Sequence, residues 1–176
     1  MASFTPEQHG AIGDGIADDT AAIQAAINAA AAANGVLELA PITRYRISST
    51  LTVQPQAGQA LTFMQIRASG GQSMIHHVGS GPALKLIGLK YAQIEGLHIQ
   101  LEQASAIGIA IDGDTAHVSC GMLTFADVLI NCSTGGNQIG FSVARAALLN
   151  GLESAFVNYE NCYVQARGRQ YDDIGL

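Results

Sequence analysis

The stretch GAIGDGIADDTAAIQAAI, residues 10–27, decides the fold. It places three aspartates and a glycine-rich segment directly before an alanine-rich run. The GDG at residues 13–15 predicts a tight turn that needs positive φ at a glycine. Asp18, Asp19 and Thr20 predict a helix start, because their side chains can accept hydrogen bonds from the first free backbone N–H groups and negative charge suits that end of a helix.

The alanine-rich run predicts a short amphipathic helix. Its apolar positions recur at helical spacing and form one small face: Ile23, Ala26, Ile27 and Ala30. Alanine has the highest intrinsic helix propensity. Asn34 and Gly35 supply a C-terminal stop, since both tolerate a left-handed backbone. We therefore expect a helix around residues 19–33.

The aspartates of this stretch also suggest an ion or phosphate site. Calcium would need further oxygen ligands at loop spacing, and no EF-hand pattern is present. A phosphate loop would need a lysine after the glycines, and none follows them. We therefore expect Asp14, Asp18 and Asp19 to stabilise the turn and the helix start.

Composition limits the class of protein. The 176 residues suffice for one domain, only 12% of them are charged, and the formal net charge is −6. A nucleic-acid groove would need a basic stripe, so no nucleic-acid partner is expected. No apolar run reaches membrane-spanning length, so no membrane insertion is expected. The opening MASFTPEQHG lacks the features of a secretory signal, which predicts synthesis in the cytoplasm without export by that route.

A repeat occupies the second half of the chain. Three segments align without gaps: IEGLHI (residues 94–99), FADVLI (125–130) and YENCYV (159–164). Their third positions, Gly96, Asp127 and Asn161, follow one another at nearly equal intervals. Glycine, aspartate and asparagine are the residues that tolerate a left-handed backbone. The pattern therefore predicts a sharp bend between two short strands, stacked one repeat above another.

A second series follows the first. IGIAI (residues 107–111) and IGFSV (139–143) are alternating strands separated by nearly the same interval, and IGL (174–176) begins a third. Simple alternation points the isoleucines inward and points the small residues outward: Gly108, Ala110, Gly140 and Ser142. That outward face would carry no carboxylate, His, Arg or Lys over these two repeats. Such a smooth face predicts close packing against a neighbouring subunit.

The N-terminal segment resembles the opening of the pectate-lyase-like superfamily of right-handed parallel β-helices, which includes phage tailspikes and polygalacturonase-like hydrolases. The family pattern has a GDG turn, DDT at the helix start, an amphipathic helix, and a strand ending in a Pro-Gly-x-Tyr turn. Here the strand is residues 36–39, and Pro41 is followed by ITRY in place of the glycine-containing turn. The resemblance covers roughly the first third of the chain.

This resemblance, together with the repeat, predicts an all-β, right-handed parallel β-helix with an N-terminal capping α-helix. Residues 1–35 would form the turn and the cap, and residues 36–176 would form the stacked turns of the coil, within one domain. Leu176 lies two residues into a new strand, so we expect the chain to be part of a longer coil or to be covered there by another subunit.

The resemblance implies a polysaccharide partner. The leading hypothesis is the N-terminal part of a tailspike-like virion tail component, a homotrimer that binds and in some members degrades a cell-surface polysaccharide. The alternatives are a stand-alone polysaccharide hydrolase or lyase and a non-catalytic structural module. No cofactor is expected, except calcium if the protein is lyase-like, and no metal site is indicated.

No catalytic residues can be assigned. Hydrolysis needs two carboxylates projecting from neighbouring turns of the coil, and no such pair is evident, so catalytic residues would lie beyond this segment. His98, Leu129 and Tyr163 are expected to share one outward column, where an aromatic ring can stack on a sugar. The candidate carbohydrate-binding residues are Asp112, Asp114, His117, Asp127, Glu160 and Tyr163.

Overall fold

A computed structural model of the chain describes residues 1–55, 63–68, 73–89, 91–112, 122–132, 137–143 and 156–166. The described part contains sixteen strands and one α-helix. Every strand pairing is parallel, and the strands fall into three sheets. The all-β parallel coil with a capping helix is confirmed. No helix among these residues is long and apolar enough to span a bilayer.

The chain begins with a cap and then winds through successive turns of the coil, which we call rungs. The cap comprises β1 (Ser3–Phe4), a 3₁₀ turn (Pro6–His9), β2 (Asp14–Asp18) and α1 (Thr20–Ala32). The first two rungs are β3 (Val36–Leu39), β4 (Arg44–Ile47), β5 (Leu51–Val53), β6 (Met64–Ala68), β7 (Met74–His77) and β8 (Pro82–Ile87). The later rungs are β9 (Tyr91–Glu95), β10 (His98–Leu101), β11 (Ile107–Asp112), β12 (Met122–Ala126), β13 (Leu129–Cys132), β14 (Ile139–Val143), β15 (Phe156–Glu160) and β16 (Tyr163–Ala166).

Each of the four rungs from β3 to β14 contributes one strand to each sheet, and β15 and β16 extend sheets A and B. Sheet A has the order β1-β3-β6-β9-β12-β15, sheet B has β2-β4-β7-β10-β13-β16, and sheet C has β5-β8-β11-β14. Inward side chains from all three sheets and from α1 form one continuous core that includes Tyr45, Leu84, Ile99 and Phe125. A parallel coil of this kind buries its apolar column only when neighbouring rungs stack, so no rung is stable alone.

Helix α1 covers the N-terminal end of the core. It contacts β1, β3 and β5. Its buried residues are Ile23, Ala26, Ile27, Ala30 and Ala31. The helix ends as the sequence predicts: Asn34 takes a φ of 45° and its N–H donates to the Ala31 carbonyl at 3.2 Å. The Gly35 N–H donates to the Ala30 carbonyl at 2.8 Å, which completes a Schellman motif.

Two of the three aspartates tie down the turn ahead of the helix. The Asp19 carboxylate is 2% exposed and accepts hydrogen bonds from the N–H groups of Ile12 at 2.7 Å and Gly13 at 3.1 Å. It therefore turns back to the loop, although its place at the helix start suggested a cap. Asp14 accepts from the N–H groups two and three residues further along, both at 2.8 Å. These contacts confirm a structural role for both residues.

Asp18 joins the helix start to the first rung. Its carboxylate accepts from the Thr20 N–H at 3.1 Å, from the Thr20 hydroxyl at 2.5 Å and from the Ser48 hydroxyl at 2.5 Å. Ser48 lies in the link between β4 and β5. The Ser48 hydroxyl, followed by that of Thr20, lowers the pKa of Asp18 from 3.8 to about 2. Within the described residues no group of three or more His, Cys, Asp or Glu side chains is placed to hold a metal.

The corners between sheets A and B repeat a left-handed backbone. Gly96, Asp127 and Asn161 have φ values of 69°, 53° and 50°. The Gly96 N–H donates to the Ala126 carbonyl and the Asp127 N–H donates to the Glu160 carbonyl, each at 2.9 Å. The three corners therefore stack one above another, which confirms the predicted repeat.

The smooth outward face predicted on sheet C is wrong at its glycines. A Cβ atom at Gly108 would lie 2.7 Å from Cδ1 of Ile130, which is itself fully buried. A Cβ at Gly140 would lie 2.5 Å from a methyl group of Val164, while Ile139 is 45% exposed. The two glycines therefore face the interior, so simple alternation fails where these strands begin. The IGL segment at residues 174–176 lies outside the described residues.

The first corner predicts a stabilising substitution. Ile42 follows Pro41 at the corner between β3 and β4, has a φ of 58° and is 79% exposed. A β-branched residue in this region is strained, and the left-handed backbone costs an L-residue about 1–2 kcal/mol. Ile42→Gly should therefore raise the free energy of unfolding in urea by about 1 kcal/mol.

The matched control is Ile16→Gly. Ile16 is equally exposed at 79% but lies in a strand and has no positive φ. Glycine there should lower the free energy of unfolding, because it only adds freedom to the unfolded chain. A loss of stability in both variants would contradict the strain at Ile42.

Asp18 predicts a specific acid dependence. Because its pKa is lower in the folded chain, its contribution to stability is complete above pH 3.8 and is lost as the pH falls toward about 2. Asp18→Asn should lower the free energy of unfolding at neutral pH by about 1 kcal/mol and should flatten its decline below pH 4. Ser48→Ala should flatten the decline only in part. An unchanged acid profile in Asp18→Asn would refute the assignment.

Candidate functional site

The outer face of sheet A carries an arginine that lies between two glutamates. Arg67 lies between Glu38 on the preceding rung and Glu95 on the following rung, with N–O distances of 3.8 Å to each. Beside this column, the Gln65 amide donates to the Gln93 amide oxygen at 3.4 Å. All three charged side chains are partly exposed, so the ion pairs contribute little to stability. This face offers an external ligand few unpaired charges.

The outer face of sheet C carries one ion pair. Lys85 projects from β8, and its Nζ lies 2.9 Å from a carboxylate oxygen of Asp112 at the end of β11. Ala110 and Ser142 share the column of Lys85 on the later rungs. The sequence-based prediction considered outward residues of β11 and β14 only, so it did not include Lys85, which lies one rung earlier on β8.

The outer face of sheet B carries a polar ladder, which we define by two columns of register-paired side chains. The first column is Arg44, Met74, His98, Leu129 and Tyr163. The second column is Arg46, His76, Gln100, Asn131 and Gln165. The alternate residues of these strands, such as Tyr45 and Ile99, are buried. Members of a column repeat about every 4.8 Å along the coil axis, the spacing of hydrogen-bonded strands.

A hydrogen-bonded chain of three side chains links successive rungs: it begins at two residues of the ladder and ends at Glu102 beside it. Arg44 Nη2 lies 3.2 Å from His76 Nδ1, and His76 Nε2 lies 3.2 Å from a carboxylate oxygen of Glu102. Arginine can only donate a hydrogen bond, so Nδ1 must be the acceptor. The proton of the neutral imidazole is therefore on Nε2, where it is donated to Glu102. The contacts fix one tautomer of His76.

Two histidines of the ladder are held in their neutral forms. Burial lowers the pKa of His76, the positive charge of Arg44 lowers it further, and Glu102 opposes both effects. Burial lowers the pKa of His98 as well. The His98 Nε2 atom has no hydrogen-bond partner among the described residues. His76 and His77 alternate outward and inward as predicted, since His77 is fully buried.

The cations of the described chain divide into two classes. Arg67 and Lys85 each lie within 4 Å of a carboxylate. Arg44 and Arg46 have no such carboxylate among the described residues. Their register partners in β2 are Asp14 and Asp18, whose carboxylates instead accept from groups of the cap and, for Asp18, from the Ser48 hydroxyl of the first rung. The polar ladder therefore begins with two guanidinium groups that have no ion-pair partner in the described structure.

The structure brings two of the described candidate residues into contact, since the Asp127 N–H donates to the Glu160 carbonyl at 2.9 Å, and places the others apart. Asp112 pairs with Lys85 on sheet C, the exposed Asp127 forms a corner, and Glu160 ends β15 on sheet A. Tyr163 projects from sheet B, 65% exposed, in the predicted column with His98 and Leu129. Asp114 and His117 lie outside the described residues. Of the four described candidates, only Tyr163 belongs to the polar ladder.

The sequence contained one signal for the residues that were missed. His76 follows Arg44 at an interval close to that of the apolar repeat. Applying the same period to charged outward positions would have paired them. Glu102 follows His76 after a shorter interval, because rung length varies with the loops, so no fixed period finds it.

Comparison with known proteins is consistent with this fold. Over 78 residues the chain is 42% identical to the mannuronan C5-epimerase AlgE2 of Azotobacter vinelandii, a match that covers 44% of this chain and 7% of that protein. The A-module of mannuronan C-5 epimerase AlgE6 from the same organism superposes with a TM-score of 0.58 at 25% identity, over 80% of this chain and 40% of the module.

A viral protein has the same architecture. ORF18 of Geobacillus virus E2 superposes with a TM-score of 0.54 at 22% identity, over 73% of this chain and 28% of that protein. No protein-family model matches the chain. The chain spans less than half the length of the epimerase, of the epimerase module and of the viral protein. Its fold is the pectate-lyase-like right-handed parallel β-helix.

Proposed function

We propose that this chain is a polysaccharide-binding β-helix segment whose glycan lies along the polar ladder of sheet B. The observation that carries the proposal is the axial repeat of outward polar side chains on that face. The sequence and structural likeness to mannuronan C5-epimerases supports a polysaccharide as the ligand class. A linear glycan needs a binding surface that repeats along one direction, and a stacked coil provides it.

The ladder has the chemistry that sugars require. Gln100, Asn131 and Gln165 place one amide on each of three successive rungs. An amide both donates and accepts, so Gln100 and Gln165 can each satisfy a sugar hydroxyl in either orientation, whereas the Oδ1 atom of Asn131 is buried and leaves that residue only its N–H groups for a ligand. Tyr163 adds an exposed ring beside the amide column, on which the apolar face of a sugar can stack.

For the whole protein we favour a tailspike-like polysaccharide binder of which this chain is the N-terminal β-helix portion. Such a protein would be a homotrimeric component of a virion tail. The support is the low share of charged residues and the common fold with a viral protein. Light scattering on the full-length protein tests this arrangement: a trimer is expected, and a monomer at high concentration would contradict it.

The second candidate is a polysaccharide-modifying enzyme. It is favoured by the 42% identity with a mannuronan C5-epimerase over 78 residues. Lys85 and Asp112 pair an amine with a carboxylate on the outer face of sheet C, and catalytic groups for this candidate would lie on further rungs. Incubation of the full-length protein with acidic polysaccharides decides between cleavage, epimerisation and binding alone, through new reducing ends, unsaturated products or altered sugar resonances.

The ladder predicts the effect of removing its polar groups. Gln100→Ala should weaken polysaccharide binding about fivefold, because one hydrogen bond to the glycan is worth about 1 kcal/mol. Tyr163→Ala should weaken it by a similar factor through lost stacking. The measurement is isothermal titration with each polysaccharide that binds the unmodified chain on a glycan array.

The matched control is Thr124→Ala on sheet A. Thr124 occupies an outward strand position of comparable burial on a different face. Its loss should leave binding unchanged. Equal weakening by Thr124→Ala and Gln100→Ala would show that the ladder is not the binding face.

A further inference from the structure

We propose that Arg44, Arg46 and His76 form an anion subsite that binds a carboxylate of an acidic polysaccharide and takes up one proton as it does so. This inference rests on the proposed function, since it assigns the charge class of the glycan and the regulation of its binding on the same ladder. The strand register places His76 beside Arg46 on the next rung, and the aliphatic part of Arg44 lies over Gly15 of the cap.

Arg44 and Arg46 differ from Arg67 and Lys85 because they form no ion pair among the described residues. The chain has 14 acidic residues against 8 Lys and Arg, so a cation finds carboxylates in excess. Arg67 contacts two of them and Lys85 contacts one. Arg44 and Arg46 contact none among the described residues, although Asp14 and Asp18 are their partners in strand register. A pair of arginines left in this state in an acidic chain indicates an external anion.

Arg44, Arg46 and His76 lie close together on the outer face of sheet B. Arg44 and Arg46 project from the same face of β4, about 7 Å apart along the strand. His76 lies opposite Arg46 in the next strand and contacts the guanidinium of Arg44. The three groups therefore mark the corners of one small triangle on the outer face. Guanidinium groups bind carboxylates by paired, charge-assisted hydrogen bonds, which suits a uronate side group.

The imidazole of His76 is the group of this subsite that can take up the proton. The groups that face His76 are Arg44 and Arg46 from β4 and Glu102 from the segment after β10, while His77 lies on the inner side of the same strand. Burial and the positive charges of Arg44 and Arg46 lower the pKa of His76 while Glu102 opposes them, so the neutral imidazole is favoured when no anion is bound. A bound carboxylate adds one negative charge to the triangle. By linkage, the anion must then favour the protonated imidazole, and acid must favour the anion.

Protonation also changes the hydrogen bonds of the site. His76 with both nitrogens protonated can no longer accept from Arg44, while its Nε2–H still donates to Glu102. The guanidinium of Arg44 is released from Nδ1 and can turn to the ligand. The bond given up within the ladder is replaced by one to the carboxylate, so proton uptake and anion binding proceed together.

The test is isothermal titration of the chain with polyuronate at about pH 7.5, 6.5 and 5.5. Affinity should rise about fivefold across this range, because His76 protonates when the ligand binds. Repeating the titration in buffers of different ionisation enthalpy should report net proton uptake at the upper pH. Affinity that is constant or that falls with acid would overturn the proton linkage.

Single substitutions test how much each side chain contributes to polyuronate binding. Arg44→Gln and Arg46→Gln should each weaken polyuronate binding about tenfold or more. His76→Asn should bind with an affinity that does not change with pH. Arg67→Gln, which removes an equal charge from sheet A, should bind as the unmodified chain does, and circular dichroism checks that all four variants fold. A loss of affinity in Arg67→Gln equal to that in Arg44→Gln would show only long-range attraction and would overturn the subsite.

Two further titrations distinguish a carboxylate ligand from a sulfate ligand, and failure of the subsite from failure of the proposed function. Dextran sulfate that binds as tightly as polyuronate, with the same pH dependence, would overturn the carboxylate assignment. Binding of neutral and acidic polysaccharides alike, unaffected by Arg44→Gln, would overturn the subsite and leave the proposed function standing. If no polysaccharide binds, the proposed function fails, and titration of the His76 ring resonances with monomeric glucuronate then decides the subsite independently: a rise in its titration midpoint supports it, and no change overturns it.

Discussion

The structure depends on one constraint: each rung, whatever the length of its loops, must return to register so that its backbone hydrogen bonds meet those of the next rung. The corner between sheets A and B enforces this. Gly96, Asp127 and Asn161 each take a left-handed backbone, and the N–H groups of Gly96 and Asp127 donate to the rung that follows. A corner of this shape is short, so both strands keep their register. Core packing and the axial columns follow from that register.

The same register makes the three outer faces chemically different. Columns arise only because equivalent positions lie directly above one another, and each column then acquires its own character. On sheet A a column alternates in sign around Arg67, and on sheet C Lys85 and Asp112 compensate each other. On sheet B Arg44 contacts the imidazole of His76, and neither Arg44 nor Arg46 has a carboxylate within 4 Å among the described residues. The faces therefore have similar backbones and different capacities for ligands.

The sequence predicted the parts of the fold that depend on few residue types. Left-handed corners admit mainly Gly, Asp and Asn, so their spacing was visible at residues 96, 127 and 161, and the helix was visible from its apolar spacing and its Asn-Gly stop. It failed at Gly108 because this glycine lies against the buried side chain of Ile130 from sheet B, a contact between sheets that the pattern of one strand does not reveal. The Arg44–His76–Glu102 chain was missed because it joins three rungs of unequal length, and no local motif marks it.

The stacking of the corners is tested most directly by scalar coupling through hydrogen bonds in a nuclear magnetic resonance spectrum. The account predicts coupling from the Asp127 amide nitrogen to the Glu160 carbonyl carbon, and from the Gly96 amide nitrogen to the Ala126 carbonyl carbon. The two partners of each bond are a full rung apart in the sequence, so only stacked rungs can join them. Coupling of either amide to a carbonyl within its own turn would contradict the coil.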